Sequence, residues 1–156
     1  MGDYTMIAFQ AIIKPQYRKY VSTFMEGDWH NLADGERGLS VNRDFQEFIQ
    51  DDRADFIPKG YSAYFSESDN EVSTAEQARP KYEVETGKWD VYCSLKNYDD
   101  TIEKFLKILP LIADEAFRIQ YKFEYWDDSV YYILDAKDGK LHELAENDEI
   151  SKMTVG

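Results

Sequence analysis

The order of hydrophobic periodicities along the chain constrains its fold more than any other feature. Segments in which apolar residues occupy every second position predict strands, and segments with apolar residues three or four positions apart predict helices. In chain order these are a strand over Tyr4–Ile13, helices over Pro15–Met25 and Arg43–Arg53, a strand over Gly60–Phe65, a hairpin over Lys81–Leu95, a helix from Thr101, and strands over Arg118–Tyr125, Val130–Leu134 and Leu141–Leu144.

This order contains the strand-helix-strand-strand-helix-strand plan, in which two helices cover one face of an antiparallel sheet. We therefore predict an α+β fold of the ferredoxin-like type, with an extra helix and a C-terminal β-meander. Residues 1–145 form a single domain in this prediction. Residues 66–80 lack large apolar side chains and are expected to be a mobile polar loop, and residues 146–156 are expected to be a frayed acidic tail.

Several boundaries have local causes. Asn42 is a candidate cap for the second helix, and Asp99 or Asp100 for the third, where Asp100 and Glu103 have capping-box spacing. Pro110 is expected to end or kink this third helix near Leu109, with a brief continuation through Ala113. Residues 28–40 show no periodicity and contain two glycines, so they are predicted to be a loop.

For two strands, the sequence predicts which faces are buried and which are exposed to water. Residues 4–13 are apolar on both sides, which predicts a strand inside the sheet. In residues 118–125 the polar Gln120 and Lys122 alternate with aromatic and aliphatic residues, which predicts one wet face. Cys93 falls in phase with apolar neighbours and is expected to be a structural core residue.

The acidic balance limits the classes of partner. The chain has 31 acidic and 18 basic residues, a formal net charge of −13 at pH 7. Direct binding of nucleic acid is not expected, because the basic residues are scattered and form no stripe along a phosphate backbone. No apolar run approaches the twenty residues of a membrane span, and residues 1–5 lack a basic leader, so a cytoplasmic protein is expected.

Motifs for catalysis or for cofactors are missing from the sequence. No glycine-rich phosphate loop or nucleophile elbow occurs, and His30 and His142 have no second His or Cys at ligand spacing. No cofactor or metal is therefore expected. Paired acids are frequent and are interpreted as solvated helix ends or turns; they are Asp51-Asp52, Asp99-Asp100, Asp114-Glu115 and Asp127-Asp128.

Two features favour a protein-binding surface. Aromatic and acidic side chains are dense near the end of the sheet, where they combine rigid contact area with electrostatic steering. Trp29 lies in the non-periodic segment, where it either recognises a partner or folds back over the core. The predicted partner-binding residues are Glu124, Tyr125, Trp126, Asp127, Asp128, Tyr131 and Trp29.

Residues Thr5–Lys14, Gly87–Tyr98 and Thr101–Leu106 resemble those of small acidic α+β proteins from bacteria and phages, including immunity proteins and anti-defence inhibitors of the anti-CRISPR kind. This resemblance implies a nucleic-acid mimic that inhibits an effector protein. It is a resemblance of domain style, without catalytic residues to carry over.

Three hypotheses follow from the sequence. The first is a non-enzymatic acidic protein that inhibits a basic effector, such as a nuclease, by occluding its nucleic-acid site. The second is a small enzyme that uses dispersed carboxylates, with or without magnesium. The third is a structural or oligomeric accessory domain, for which exposed sheet edges would supply the contacts.

Overall fold

Antiparallel strands form one open sheet in the order β2-β3-β1-β4-β5-β6 in the computed structural model, which describes residues 4–60, 80–123, 130–135 and 139–143. The strands are β1 (Tyr4–Ile13), β2 (Lys81–Tyr82), β3 (Lys88–Lys96), β4 (Ala113–Phe123), β5 (Val130–Asp135) and β6 (Lys140–Glu143). The helices are α1 (Val21–Glu26), α2 (Trp29–Gly35), α3 (Arg37–Ser40), α4 (Arg43–Ile49), α5 (Phe56–Lys59) and α6 (Thr101–Ile112), with a short 3-10 turn at Pro15–Tyr17.

The α+β prediction is confirmed by this topology. The order β2-β3-β1-β4 is that of the split β-α-β plan, and β5 and β6 extend the sheet beyond β4 as the predicted meander. Strand β1 lies between β3 and β4, as its apolar character on both sides predicts. All but Gly60 of the strand predicted over Gly60–Phe65, most of the loop predicted over 66–80 and the tail over 146–156 lie outside the described residues.

An aromatic cluster between the sheet and the helices forms the centre of the core. The Trp89 ring lies 5.1 Å from that of Phe9 and 5.0 Å from that of Phe24, in edge-to-face geometry. Each buried indole N–H has a backbone acceptor: Trp89 donates to the Phe24 carbonyl and Trp29 to the Ile57 carbonyl, both at 2.7 Å. The cluster can therefore bury two tryptophans without leaving a polar group unsatisfied.

The prediction of a loop over residues 28–40 is wrong, because α2 and α3 occupy this segment. Trp29, Leu32 and Ala33 are buried at helical spacing, and Leu39 is buried in the next short helix. The glycines that suggested a loop are at the end of α2 and within α3. Burial of this apolar face outweighs the weak intrinsic helix propensity of a glycine-containing segment.

One helix cap is the residue predicted from the sequence, and another is a different residue. The Asn42 side chain accepts from Phe45 N–H at 2.9 Å, as expected. At α6, Asp100 occupies the N-cap position with a φ of 57° but makes no side-chain cap. Asn97 supplies it instead, accepting from Ile102 N–H at 2.8 Å.

Two further expectations are met only in part. Helix α6 runs through Pro110 to Ile112, so the expected continuation beyond Leu109 is present, and β4 follows without a loop. Pro110 removes one intrahelical N–H bond, and the buried Ile112 holds the last turn against the core. The predicted wet face of β4 is exposed at Arg118 but buried at Gln120, which is 8% exposed, and at Lys122, which is 5% exposed. These two residues lie opposite Ala8 and Met6 of β1, and Met6 packs with Tyr92 in a second apolar cluster, so this part of the second sheet face is also covered.

Candidate functional site

The predicted partner-binding residues are only partly within the described structure. Residues 124–128 lie outside it. Tyr131 is half-buried on β5 opposite Gln120, on the sheet face that points away from Tyr132 and the main core. Trp29 is 2% exposed and packs on Phe48, with ring centroids 5.2 Å apart. Trp29 is therefore a core residue and cannot offer its ring to a partner, so that part of the prediction is corrected.

A different acidic site lies where the end of α4 approaches the start of α6. We call it the acidic cleft, and its volume is about 630 Å³. It is lined by Glu47, Gln50, Asp51, Asp52, Tyr98, Asp99, Asp100 and Lys104. Two paired acids that the sequence places at separate helix ends, Asp51-Asp52 and Asp99-Asp100, thus meet at one opening.

Contact between α4 and α6 creates this juxtaposition. Helix α4 buries Phe48 and Ile49, and α6 buries Ile102 and Phe105, so each helix turns its apolar face to the common core. The polar residues that follow α4 and those that precede α6 then emerge side by side. Sequence reasoning noted both acidic pairs as helix ends, but no signal along the chain shows that they are neighbours.

Asp51 is the structural link between the two walls of the acidic cleft. Its side chain is fully buried and accepts from Thr101 Oγ1 at 2.9 Å and from Lys104 Nζ at 3.0 Å. A third bond comes from Arg53 N–H at 2.9 Å. Burial by itself would raise the pKa of the Asp51 carboxyl, but these hydrogen bonds and the Lys104 charge outweigh it and lower the pKa below its ordinary value.

The pKa of Lys104 shifts in the opposite direction to that of Asp51, so both groups of the ion pair hold their charge more strongly. Its hydrogen bond to Asp51 raises the pKa of Lys104 above the ordinary value. The Lys104 side chain keeps 30% of its surface exposed, so water still reaches its edge. The pair therefore neutralises one carboxylate of the acidic cleft and fixes α6 against the segment after α4.

The remaining acids of the cleft lie at the protein surface. Glu47, Asp52, Asp99 and Asp100 are exposed. Tyr98, which lies beside Asp99, is 55% exposed and is among the large hydrophobic residues most open to solvent in the described structure. The cleft thus combines a negative rim with an accessible aromatic ring, the two features that the sequence had led us to expect near residue 127.

Tyr98 already carries a cation on its ring. The guanidinium carbon of Arg53 lies 4.6 Å from the centroid of the Tyr98 ring, within the range of a cation–π interaction. Arg53 is half-buried and comes two residues after the buried Asp51. The stacked pair connects the two walls at the surface, as Asp51 and Lys104 connect them below.

A second cleft of about 620 Å³ adjoins the first along Gln50, Asp51 and Asp52. Its other lining residues include the acids Glu26, Asp28 and Asp55, together with Lys59 and His30. Lys59 forms an exposed ion pair with Asp55 at 3.8 Å, which contributes little because solvent screens it. The two clefts make one continuous surface on which carboxylates outnumber cations among the described residues.

A hydrogen-bonded group supports the opposite side of the α6 N-terminus. The Tyr121 hydroxyl donates to Glu103 Oε2 at 2.6 Å, and the Asn97 amide donates to Glu103 Oε1 at 2.7 Å. Burial and the Glu103 charge raise the pKa of Tyr121. Because Asn97 also caps α6, this group ties the helix start to β4 and holds Tyr98 and Asp99 in place next to it.

The other features that could have pointed to catalysis, metal binding or membrane insertion do not do so in the described structure. Cys93 is completely buried, and burial raises the pKa of its thiol to about 12, so it is a core residue as expected. In the described parts of the chain, no group of three or more His, Cys, Asp or Glu side chains is arranged to hold a metal ion. No helix within the described ranges is long and apolar enough to cross a bilayer.

Comparison with protein-family models, with curated proteins and with solved structures finds no match to this chain.

Proposed function

We propose that this protein is a non-enzymatic inhibitor that binds a basic effector protein, such as a nuclease, through its acidic surface and occludes the effector's nucleic-acid site. The observation that carries the proposal is the acidic cleft, where four exposed carboxylates surround an exposed tyrosine. A nucleic-acid site on a protein is itself a basic groove that contacts phosphates and stacks bases. Negative charges beside an aromatic ring match both properties.

The negative charge of the whole protein, and not only that of the cleft, favours a basic partner. A net charge of −13 attracts basic proteins at long range and accelerates their association at low salt. The buried Asp51–Lys104 pair leaves Asp52, Asp99 and Asp100 as rim charges that a partner would meet, whereas Glu47 lies 3.6 Å from Arg43 in an exposed ion pair. Tyr98 supplies the type of side chain that contributes most to binding energy at protein interfaces.

The rigidity of the site supports the same function. Both walls are fixed by buried contacts, so the backbone that carries the rim carboxylates does not need to be ordered when a partner binds. A preorganised surface loses less conformational entropy on association than a flexible one. An inhibitor that competes with nucleic acid benefits from this, because it must bind more tightly than a polyanion that makes many phosphate contacts.

The proposal is tested by capture followed by competition. The immobilised protein is incubated with nuclease-treated host lysate, bound proteins are eluted with a salt gradient and the main protein is identified. The purified captured protein is then mixed with fluorescently labelled duplex DNA or RNA, and our protein is titrated into the complex. We expect displacement of the nucleic acid that is complete near one equivalent, with an affinity that falls as salt rises.

A matched pair of variants locates the surface. Asp52→Lys with Asp99→Lys reverses two charges at the acidic cleft, whereas Asp34→Lys with Asp114→Lys makes the same change of net charge at exposed positions outside the described clefts. We expect the first variant to lose displacement and the second to retain most of it. Equal behaviour of the two variants would contradict the cleft as the binding site, and binding without displacement would contradict occlusion.

A further inference from the structure

Arg53 and Tyr98 form a contact that already resembles recognition of a basic protein. The guanidinium carbon of Arg53 lies 4.6 Å from the ring centroid of Tyr98, a residue that is 55% exposed, and the adjoining rim carries Asp52 and Asp99. Guanidinium groups stack on aromatic faces and also pair with carboxylates, which an ammonium does less well. The surroundings of Tyr98 are therefore suited to an arginine, and in this structure the arginine comes from the chain itself.

We propose that Arg53 is a self-blocking contact, which occupies the place on Tyr98 that an arginine side chain of the basic partner takes in the complex. This inference rests on the proposed function and specifies its partner: a protein surface that presents arginine, not merely positive charge. On binding, the partner's guanidinium stacks on Tyr98 and faces the rim carboxylates, while Arg53 moves off the ring into solvent.

The geometry permits this exchange at small structural cost. The backbone N–H of Arg53, not its side chain, donates to Asp51, so the link that fixes the cleft survives when the guanidinium leaves. Tyr98 as a residue is 55% exposed, so a partner can reach its side chain from solvent. An exposed cation–π contact is weak, so an arginine that also gains carboxylate contacts can replace it.

Charge complementarity identifies the occupant. The described lining of the acidic cleft contains five carboxylates and one ammonium, and that ammonium is committed to Asp51. An acidic or apolar segment would bury these carboxylates without compensation. A lysine would satisfy the charge but would stack on the ring less well and could not pair with a carboxylate through two parallel hydrogen bonds. An arginine satisfies both, so it is the residue that this site discriminates best.

The experiment measures the affinity of the full-length protein for octa-arginine and for octa-lysine at two salt concentrations. Both peptides have the same number of positive charges, so the ratio of their affinities reports on the aromatic ring and on guanidinium geometry. Arg53→Ala should tighten octa-arginine binding by about two- to fivefold, the equivalent of one exposed cation–π contact, and should affect octa-lysine less. Arg37→Ala is the matched control, because Arg37 is exposed, outside the described clefts and carries the same charge.

A second substitution isolates the ring. Tyr98→Leu in the Arg53→Ala background should return the arginine-to-lysine affinity ratio to the wild-type value or below it. The proposal is overturned if Arg53→Ala and Arg37→Ala change the ratio equally, or if the ratio of the double variant equals that of Arg53→Ala. Circular dichroism and thermal melting verify that each variant is folded. Failure here leaves displacement of nucleic acid by the whole protein as a separate result, so the two proposals can be distinguished.

Discussion

Removal of the Asp51 carboxylate is the perturbation that tests the architecture of the acidic cleft most directly. Asp51→Ala deletes one fully buried carboxylate and three hydrogen bonds, to Thr101, Lys104 and the Arg53 N–H. The Thr101 hydroxyl is left buried without this acceptor, and Lys104 loses its counter-ion. The lost contacts link the segment after α4 to α6, so the effect on stability should be global.

The magnitude follows from the degree of burial of each partner. Hydrogen bonds to a charged group contribute about 1.5–3 kcal/mol each, and loss of one member of a buried ion pair costs about 3–5 kcal/mol. Lys104 keeps 30% of its side chain exposed and can be solvated again, which reduces the cost. We therefore expect the free energy of unfolding to fall by about 2–4 kcal/mol, and Tm by about 5–15 °C.

Urea denaturation of four proteins measures this effect: wild type, Asp51→Ala, Lys104→Met and the double variant. The two single changes should be non-additive, because each removes the same interaction. Asp52→Ala is the control; its side chain is exposed, and the change should stay within about 0.5 kcal/mol. Additive effects, or a loss below about 0.5 kcal/mol for Asp51→Ala, would refute the assignment of Asp51 as the link between the walls.

The pH dependence of stability tests whether the contacts of Asp51 favour its charged form. The folded pKa of Asp51 is lowered, so its contribution is complete above the ordinary aspartate pKa near 4 and is lost as the pH falls through the folded value. The difference in stability between wild type and Asp51→Asn should therefore be constant from about pH 6 to 8 and should shrink below about pH 4. A difference that instead grows in acid would contradict the lowered pKa.

Two further predictions concern local backbone geometry, each with a control in the same chain. Gly87→Ala should lower the free energy of unfolding by about 2–4 kcal/mol, because Gly87 has a φ of 76° and a Cβ would lie 2.6 Å from the backbone carbonyl oxygen of Ile13. Gly139→Ala, with a φ of 66° and no neighbour within 4 Å, should cost only about 1–2 kcal/mol, and equal losses in denaturant melts would contradict the steric argument. Asn97→Ala should cost about 1–2 kcal/mol through loss of the α6 cap. Asp100→Ala should cost less, since its side chain makes no cap, and the reverse order of these two variants would show that the cap is assigned to the wrong residue.

Periodicity was sufficient for the elements with a strong and uninterrupted pattern. Strand β1, helix α6 and the hairpin that pairs Tyr82 with Trp89 follow from it, and so does the sheet order through the split β-α-β plan. It failed over residues 28–40, where two glycines obscured a buried face made of Trp29, Leu32 and Ala33. Local propensity is weak evidence there, because tertiary burial supplies most of the stability of short helices.

The acidic cleft shows a different limit of prediction from the sequence. Its acids were visible in the sequence, but many similar pairs occur along the chain, and nothing distinguished these two. Their importance depends on the packing of α4 against α6, a contact between residues about fifty positions apart. The burial of Gln120 and Lys122 is of the same kind, because it depends on their β1 neighbours Ala8 and Met6, on a sheet face where Met6 packs with Tyr92.

The sequence alone determined the fold class, the acidic character and the positions of most strands and of the longest helix, because these depend on periodicity and composition. Only the tertiary structure decided which residues share a surface. It placed Trp29 in the core, buried Asp51 between α4 and α6, and set Arg53 on the ring of Tyr98. The physical reason is that a site depends on distances between side chains remote in sequence, and those distances are fixed by the packing of whole elements, which no local pattern encodes.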